Sequence, residues 1–310
     1  MTKFRRMASV DPVKAALAEG ETDANFFDDY PRFLETSKVA AHLDRLNLRY
    51  RAIFAANRDV FDGANVLDLA SHDGRWSLAA LKTGAAHVVG IEGRPELVAS
   101  AEATFDHYGV ARDRYRFVAD DLFDALAEVD MRFDVVLCLG FLYHTLRYNE
   151  LLYHIRRLEP RYLIIDTGIG REQDPVVRLD VESVVLRGHA IADRYSSNGL
   201  VLTGRPSLPA LRRMLGAYGF EIEAMSDWTE LLSGIADTRH VAGYAEGRRV
   251  TVRARALEAP PADLNVRGRV GSLKAQRAAT PSASRSRMRR IAQDFTPPIL
   301  RRWVVARRWR

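Results

Sequence analysis

Between Val66 and Leu257 the chain alternates short, continuous apolar runs with stretches whose apolar positions recur every three or four residues. The first pattern predicts strands buried on both faces and the second predicts helices. "NVLDLA" is a predicted strand, and "GRWSLAALKTG" a helix ended by Gly84. "HVVGIEG" is the next strand. "PELVASAEATFDHYG" is a helix with Pro95 in its first turn and Gly109 at its end. "YRFVADD", "FDVVLCLG" and "RYLIIDTG" are further strands, with a helix through "NELLYHIRRLEP" before the last. Strands alternating with helices predict an α/β fold with a parallel sheet covered on both faces. "SLPALRRMLGAYG" is then a helix, and "FEIEAMSDW" and "RRVTVRARAL" read as antiparallel strands that close the sheet.

The rhythm breaks at 168–205, where "DVESVVLRG" and "NGLVLTG" suggest a hairpin or two strands. This stretch is the expected substrate cap. The pattern divides the chain into an N-terminal helical lid or extension (1–60), a central domain (61–258) and a tail (259–310). Within the extension, Leu43, Leu46, Tyr50, Ile53 and Phe54 recur at helical spacing. Ahead of them Phe26, Phe27, Tyr30 and Phe33 form an aromatic cluster, either a lid in which Tyr30 touches a cofactor or a packing cluster.

Charge changes the picture of the tail. The net charge is +6, but residues 260–310 hold 13 Lys and Arg against 2 Asp, leaving 33 basic and 38 acidic residues elsewhere. A mildly acidic body argues against a large nucleic-acid footprint. In "PPILRRWVVARRWR", Ile299, Leu300, Trp303 and Val304 share one helical face among arginines. That pattern suits a membrane surface, a disordered basic end or an RNA contact. The single cysteine, Cys138, lies in "VVLCLG" and reads as a core residue, so no Cys-rich metal site is expected. The start lacks the apolar segment of a secretory leader, and no run reaches transmembrane length. The expectation is a cytoplasmic protein that is at most peripheral to a membrane.

Candidate chemistry gathers at strand ends. Asp68 is a carboxylate in an otherwise apolar strand, and Gly74 permits a close backbone approach before the helix. Glu92 ends the second strand, where an acid can accept both hydroxyls of a ribose. Asp120 and Asp121 end the third, where a carboxylate can accept from an adenine amino group. Any one of these acids could simply cap a helix. Three in succession at the ligand-binding edge of an α/β sheet point to a nucleotide cofactor.

The run "VLDLASHDGRW…VVGIEG…FVADDL…FDVVLCLGFLYH" resembles class I S-adenosylmethionine-dependent methyltransferases, in order, over about Val66 to Leu257. The resemblance implies a Rossmann-like, seven-stranded, mostly parallel sheet with helices on both faces, between an N-terminal helical extension and a basic C-terminal tail. It implies S-adenosyl-L-methionine bound by the turn Asp68, Ala70, Ser71, His72 and Gly74, with Glu92 on the ribose. Asp121, with Asp120 adjacent, would read the adenine, and Leu139 and Gly140 would lie under the methionine part. Ala70 and His72 depart from the family by standing where its turn has glycines. "SHDG" is also similar to the "SNDG"-type turns of some sugar methyltransferases. A dinucleotide pyrophosphate would call for those glycines.

After the fourth strand, "LGFLYHTLRY" places Tyr143 and His144 toward the site. Methyl transfer to a hydroxyl needs a general base, and His144 has a suitable ordinary pKa; the plain alternative is a packing role. Arg171, Arg178 and Arg187 in the cap could meet an anionic acceptor. The leading expectation is O-methylation of a small molecule, sugar or glycolipid. "LGFLYH" with "RPSLPALRRML…GF" also resembles enzymes that modify the wobble uridine of tRNA with carboxy-S-adenosylmethionine. A non-catalytic binding module on the same fold is the reading from another class.

Overall fold

The computed structural model describes residues 25–36, 42–186, 188 and 190–258. The expectations for residues 1–24, for the tail from 259 and for Arg187 lie outside the described residues.

The strands are β1 (Asn65–Leu69), β2 (His87–Glu92), β3 (Tyr115–Ala119), β4 (Val135–Leu139), β5 (Tyr162–Gly168), β6 (Val177–Ser183), β7 (Leu200–Pro206), β8 (Phe220–Met225) and β9 (Arg249–Ala256). Seven form one sheet in the order β3-β2-β1-β4-β5-β9-β8. The strands from β3 to β5 run parallel, and β9 lies antiparallel to both β5 and β8. Strand order reverses between β1 and β4, so the carboxyl ends of those strands border the crevice in which such sheets bind ligands. Every residue of β4 is buried, as its unbroken apolar run "VVLCL" requires of a central strand.

The main helices are α1 (Leu43–Ile53), α2 (Arg75–Thr83), α3 (Pro95–His107), α4 (Leu122–Glu128), α5 (Tyr148–Arg157) and α6 (Leu208–Ala217). Helix α4 has no counterpart in the sequence reading, because seven residues are too few to show a 3.6-residue period. Tyr50 of α1, Leu78 of α2 and Phe105 of α3 share a core with Val66, Val88, Val135 and Leu137 of the sheet. The N-terminal aromatics join that core: Phe26 stacks on Tyr50 at 4.2 Å, and Phe27 and Phe33 are fully buried. Cys138 is buried in β4, and burial pushes its thiol up to about 12.

The cap is a separate antiparallel ribbon of β6 and β7, with Val181 opposite Leu202. Strand β6 starts three residues before the expected "DVESVVLRG", and the chain turns at Val184–Leu186. The sequence signal there was β-branched composition, which the turn residues share with the strand.

Candidate active site

The turn after β1 is built on alternating left-handed residues. Ala70, His72 and Gly74 have φ of 54°, 54° and 78°. The glycine-rich conformation is therefore kept at Ala70 and His72, although L residues there cost about 1–2 kcal/mol each. At Gly74 no side chain fits, since a Cβ would lie 2.9 Å from Phe117 and 3.1 Å from Ala101. This brings α2 down onto the sheet and sends the His72 N–H toward β2.

That N–H donates to Glu92 Oε2 at 3.0 Å, and the Arg94 N–H donates to Oε1, also at 3.0 Å. The buried Glu92 carboxylate is thus held by backbone and still lines the cavity, with lone pairs to spare on both oxygens. Asp121 caps α4, its Oδ1 accepting from Phe123 N–H at 2.9 Å and Asp124 N–H at 3.2 Å. It also lines the cavity, so the capping role and the facing role coincide in one residue. Asp120 accepts from the Asp121 N–H and stands outside the lining.

The cavity measures about 590 Å³, within the range of small-molecule sites. Ala70, His72, Glu92, Asp121, Leu139, Gly140, Tyr143 and His144 all line it, as the sequence reading expected. Several expected contacts do not. Asp68 is 1% exposed beneath the turn, where it accepts from Ser77 Oγ at 2.7 Å. Burial raises its carboxyl to about 7, only partly offset by the Ser77 bond. Asp68 therefore braces the turn instead of facing the cavity. Ser71 is buried, its N–H given to Ile91 O, and Gly74 faces the Phe105–Phe117 core. Tyr30 packs against Phe26 and, edge to face, Tyr108, and stands outside the cavity lining. Arg178 pairs with Glu172 and Arg171 bonds Glu246 O; neither reaches the cavity.

The far wall is built by the cap. His144 Nδ1 lies 2.7 Å from Glu182 Oε2 of β6, and the Ala190 N–H donates to the same oxygen at 2.8 Å. Both side chains are mostly shielded from water. A carboxylate on Nδ1 holds the imidazole proton there and leaves Nε2 as an acceptor. Arg147 ties the adjoining cap loop down, pairing with Asp193 at 3.5 Å and lying 3.6 Å over the Phe123 ring. Ile191 of that loop lies where a Cβ on Gly93 would strike it, so an apolar side chain covers the end of β2.

The floor carries a charge imbalance. Asp166 at the end of β5 accepts through Oδ1 from Arg49 (3.2 Å) and Arg249 (2.7 Å). Its Oδ2 accepts from Tyr244 and Thr251, both at 2.8 Å. Although burial opposes ionisation, the two guanidiniums hold this carboxyl well below the usual range. Arg45, one turn before Arg49 on α1, also lines the cavity. Burial and the neighbouring Arg49 pull its pKa below the ordinary value. The buried Nε of Arg45 and of Arg49 has no hydrogen-bond partner.

Sequence reading missed Glu182, Arg45, Arg49, Arg249 and Asp166. Glu182 had the signal of an acid between apolar residues of a predicted strand. Nothing local links it to His144, 38 residues away. The arginines read as the polar face of a helix and the end of a strand.

A family model described as a methyltransferase domain matches residues 66–159, the segment from β1 through α5. By that match residues 66–159 carry a methyltransferase domain, set on a Rossmann-like, mostly parallel seven-stranded sheet. No curated protein matches it. Among solved structures this chain is similar to the N-terminal domain of EvdMO1 in the presence of SAH and D-fucose. The identity is 20%, covering 69% of this chain and 84% of that one, with a TM-score of 0.48. It is also similar to magnesium protoporphyrin IX methyltransferase from Synechocystis PCC 6803 with bound SAH (16% identity, 78% and 99% covered, TM-score 0.47). The [4+2]-cyclase SpnF is a third (20% identity, 69% and 82% covered, TM-score 0.45). Likeness at this level bears on neither reaction nor acceptor. No helix among the described residues is long and apolar enough to cross a membrane.

Proposed function

We propose that the cavity transfers a methyl group from S-adenosylmethionine to a hydroxyl of a small-molecule acceptor, a sugar or glycolipid among them. Bound there, the cofactor supplies a methyl group on a cationic sulfonium and leaves as the neutral thioether S-adenosylhomocysteine. Glu92, fixed by the His72 and Arg94 N–H groups, accepts from the ribose hydroxyls. Asp121, whose capping bonds fall on Oδ1, offers Oδ2 to the adenine amino group. Gly140, at φ 89°, lets the chain turn away at the end of β4.

The observation that carries the hydroxyl reading is the His144–Glu182 pair on the cavity wall. Nε2 of His144 takes the acceptor's proton as its oxygen bonds to the methyl carbon. The Glu182 carboxylate stabilises the imidazolium that results. General-base help of this kind is worth about 10²–10⁴-fold. The test is S-adenosylhomocysteine release with a panel of hydroxylated acceptors. His144→Ala and Glu182→Gln should bind cofactor like the parent and lose turnover. Parental turnover in both variants would refute the base.

The charged floor favours a second reading. Arg49 and Arg249 share the carboxylate of Asp166 and Arg45 lines the cavity one turn from Arg49, so a cationic sulfonium beside them is disfavoured unless further negative charge arrives with the ligand. Carboxy-S-adenosylmethionine brings that charge, and uridine in tRNA would then be the acceptor. Tighter binding of the carboxylated cofactor than of S-adenosylmethionine decides for this reading, and the reverse order decides against it.

A further inference from the structure

The cap turns an apolar face outward beside the mouth of the cavity. The β6–β7 register, with Leu179 opposite Gly204, Val181 opposite Leu202 and Ser183 opposite Leu200, puts Leu179, Val181, Leu200 and Leu202 on one face. Their exposures are 59%, 63%, 47% and 48%. A two-stranded ribbon is marginal by itself, and an uncovered row of branched side chains on it marks a binding surface.

The row is continuous with the cavity. Leu202, in the middle of this face, lines the cavity together with Leu146. Leu146 belongs to the loop that carries His144, and its Cδ2 fills the space where a Cβ on Gly204 would stand. The residues between on the ribbon are distributed by chemistry. Glu182 alternates with Val181 along β6, so the carboxylate meets His144 while the valine faces out. Leu202 thus joins the lining that holds His144 and Leu146 to its cross-strand neighbour Val181 and, two residues along β6, to Leu179.

We infer that the acceptor is an amphiphile: a hydroxylated head in the cavity and an alkyl or isoprenoid chain lying along the β6–β7 ribbon. This rests on the reading that the acceptor hydroxyl meets His144, and it names the class of molecule that does so. The apolar track begins at Leu146 and Leu202 of the cavity lining and continues outside it on Val181, Leu179 and Leu200. A short, fully polar acceptor would leave it wet.

The test titrates the S-adenosylhomocysteine-loaded full chain with maltose and with octyl, decyl and dodecyl maltoside, each below its micelle concentration. Affinity is expected to rise with chain length, up to about fourfold per methylene that the ribbon buries. The double variant Leu179→Asp, Val181→Asp changes exposed side chains only, and should keep parental S-adenosylhomocysteine affinity while flattening the chain-length dependence. Equal binding of maltose and the alkyl maltosides, or an unchanged dependence in the double variant, overturns the inference. So does a dimer of the parent that the double variant dissolves, because the face then belongs to a second copy. Chain-length dependence that survives in His144→Ala supports the apolar track independently of the base.

Discussion

On the β1–β3 side of the cavity each lining carboxylate comes from one strand end and is held by backbone. Glu92 takes two N–H groups, and Asp121 takes two more as the cap of α4. On the opposite side His144 depends on a side chain 38 residues away, on a ribbon outside the main sheet. The first wall is a property of the fold, since any sheet of this topology presents strand ends there. The second is an addition to it, and what it binds can change without disturbing the first. Cofactor affinity and turnover should therefore separate cleanly under mutation.

Glu92→Ala should have the largest effect. It removes the carboxylate that we propose accepts from both ribose hydroxyls, each charged hydrogen bond contributing about 1.5–3 kcal/mol. Calorimetry should show S-adenosylhomocysteine affinity falling at least about 100-fold. Glu182→Gln should do the converse, leaving that affinity alone and lowering turnover about 10²-fold or more, with an altered pH profile. If Glu182→Gln instead weakens cofactor binding, the two walls are not independent.

Asp68→Asn sharpens the contrast within the first wall, where one acid faces the cavity and its neighbour is buried. The raised carboxyl of Asp68 keeps its proton in the folded chain between the ordinary carboxylate range and about pH 7, whereas the unfolded chain loses it. Stability therefore falls as pH rises through that window and stays lower above it. Denaturant titrations should find Asp68→Asn free of that slope and, above pH 7, more stable than the parent by on the order of a few kcal/mol. Its cofactor affinity should change far less than that of Glu92→Ala. The smallest effect belongs to Ala70→Gly, which relieves a left-handed alanine and should raise stability by up to about 1 kcal/mol, read as a small rise in Tm.

The sheet was legible because buried parallel strands leave unbroken apolar runs, as in "VVLCLG" and "YLIIDTG". The places of Glu92 and Asp121 on the cavity wall were legible because strand-end position is a local signal. Asp68 was placed at the turn, but its burial beneath it was not legible. Sequence cannot tell a carboxylate facing a cavity from one turned beneath the turn onto Ser77. The departure at Ala70 and His72 also looked larger in sequence than in structure, where both keep the left-handed backbone of glycine. The far wall and the floor of the cavity were hidden for a different reason. The pairing of His144 with Glu182, and of Arg49 and Arg249 with Asp166, is set by tertiary contacts across 38, 117 and 83 residues.

The most direct measurement is a calorimetric titration of the full chain and of Glu92→Ala with S-adenosylhomocysteine. The account predicts one site in the parent and its loss in Glu92→Ala, with a folded variant. No binding by the parent, or equal binding by both, would contradict it.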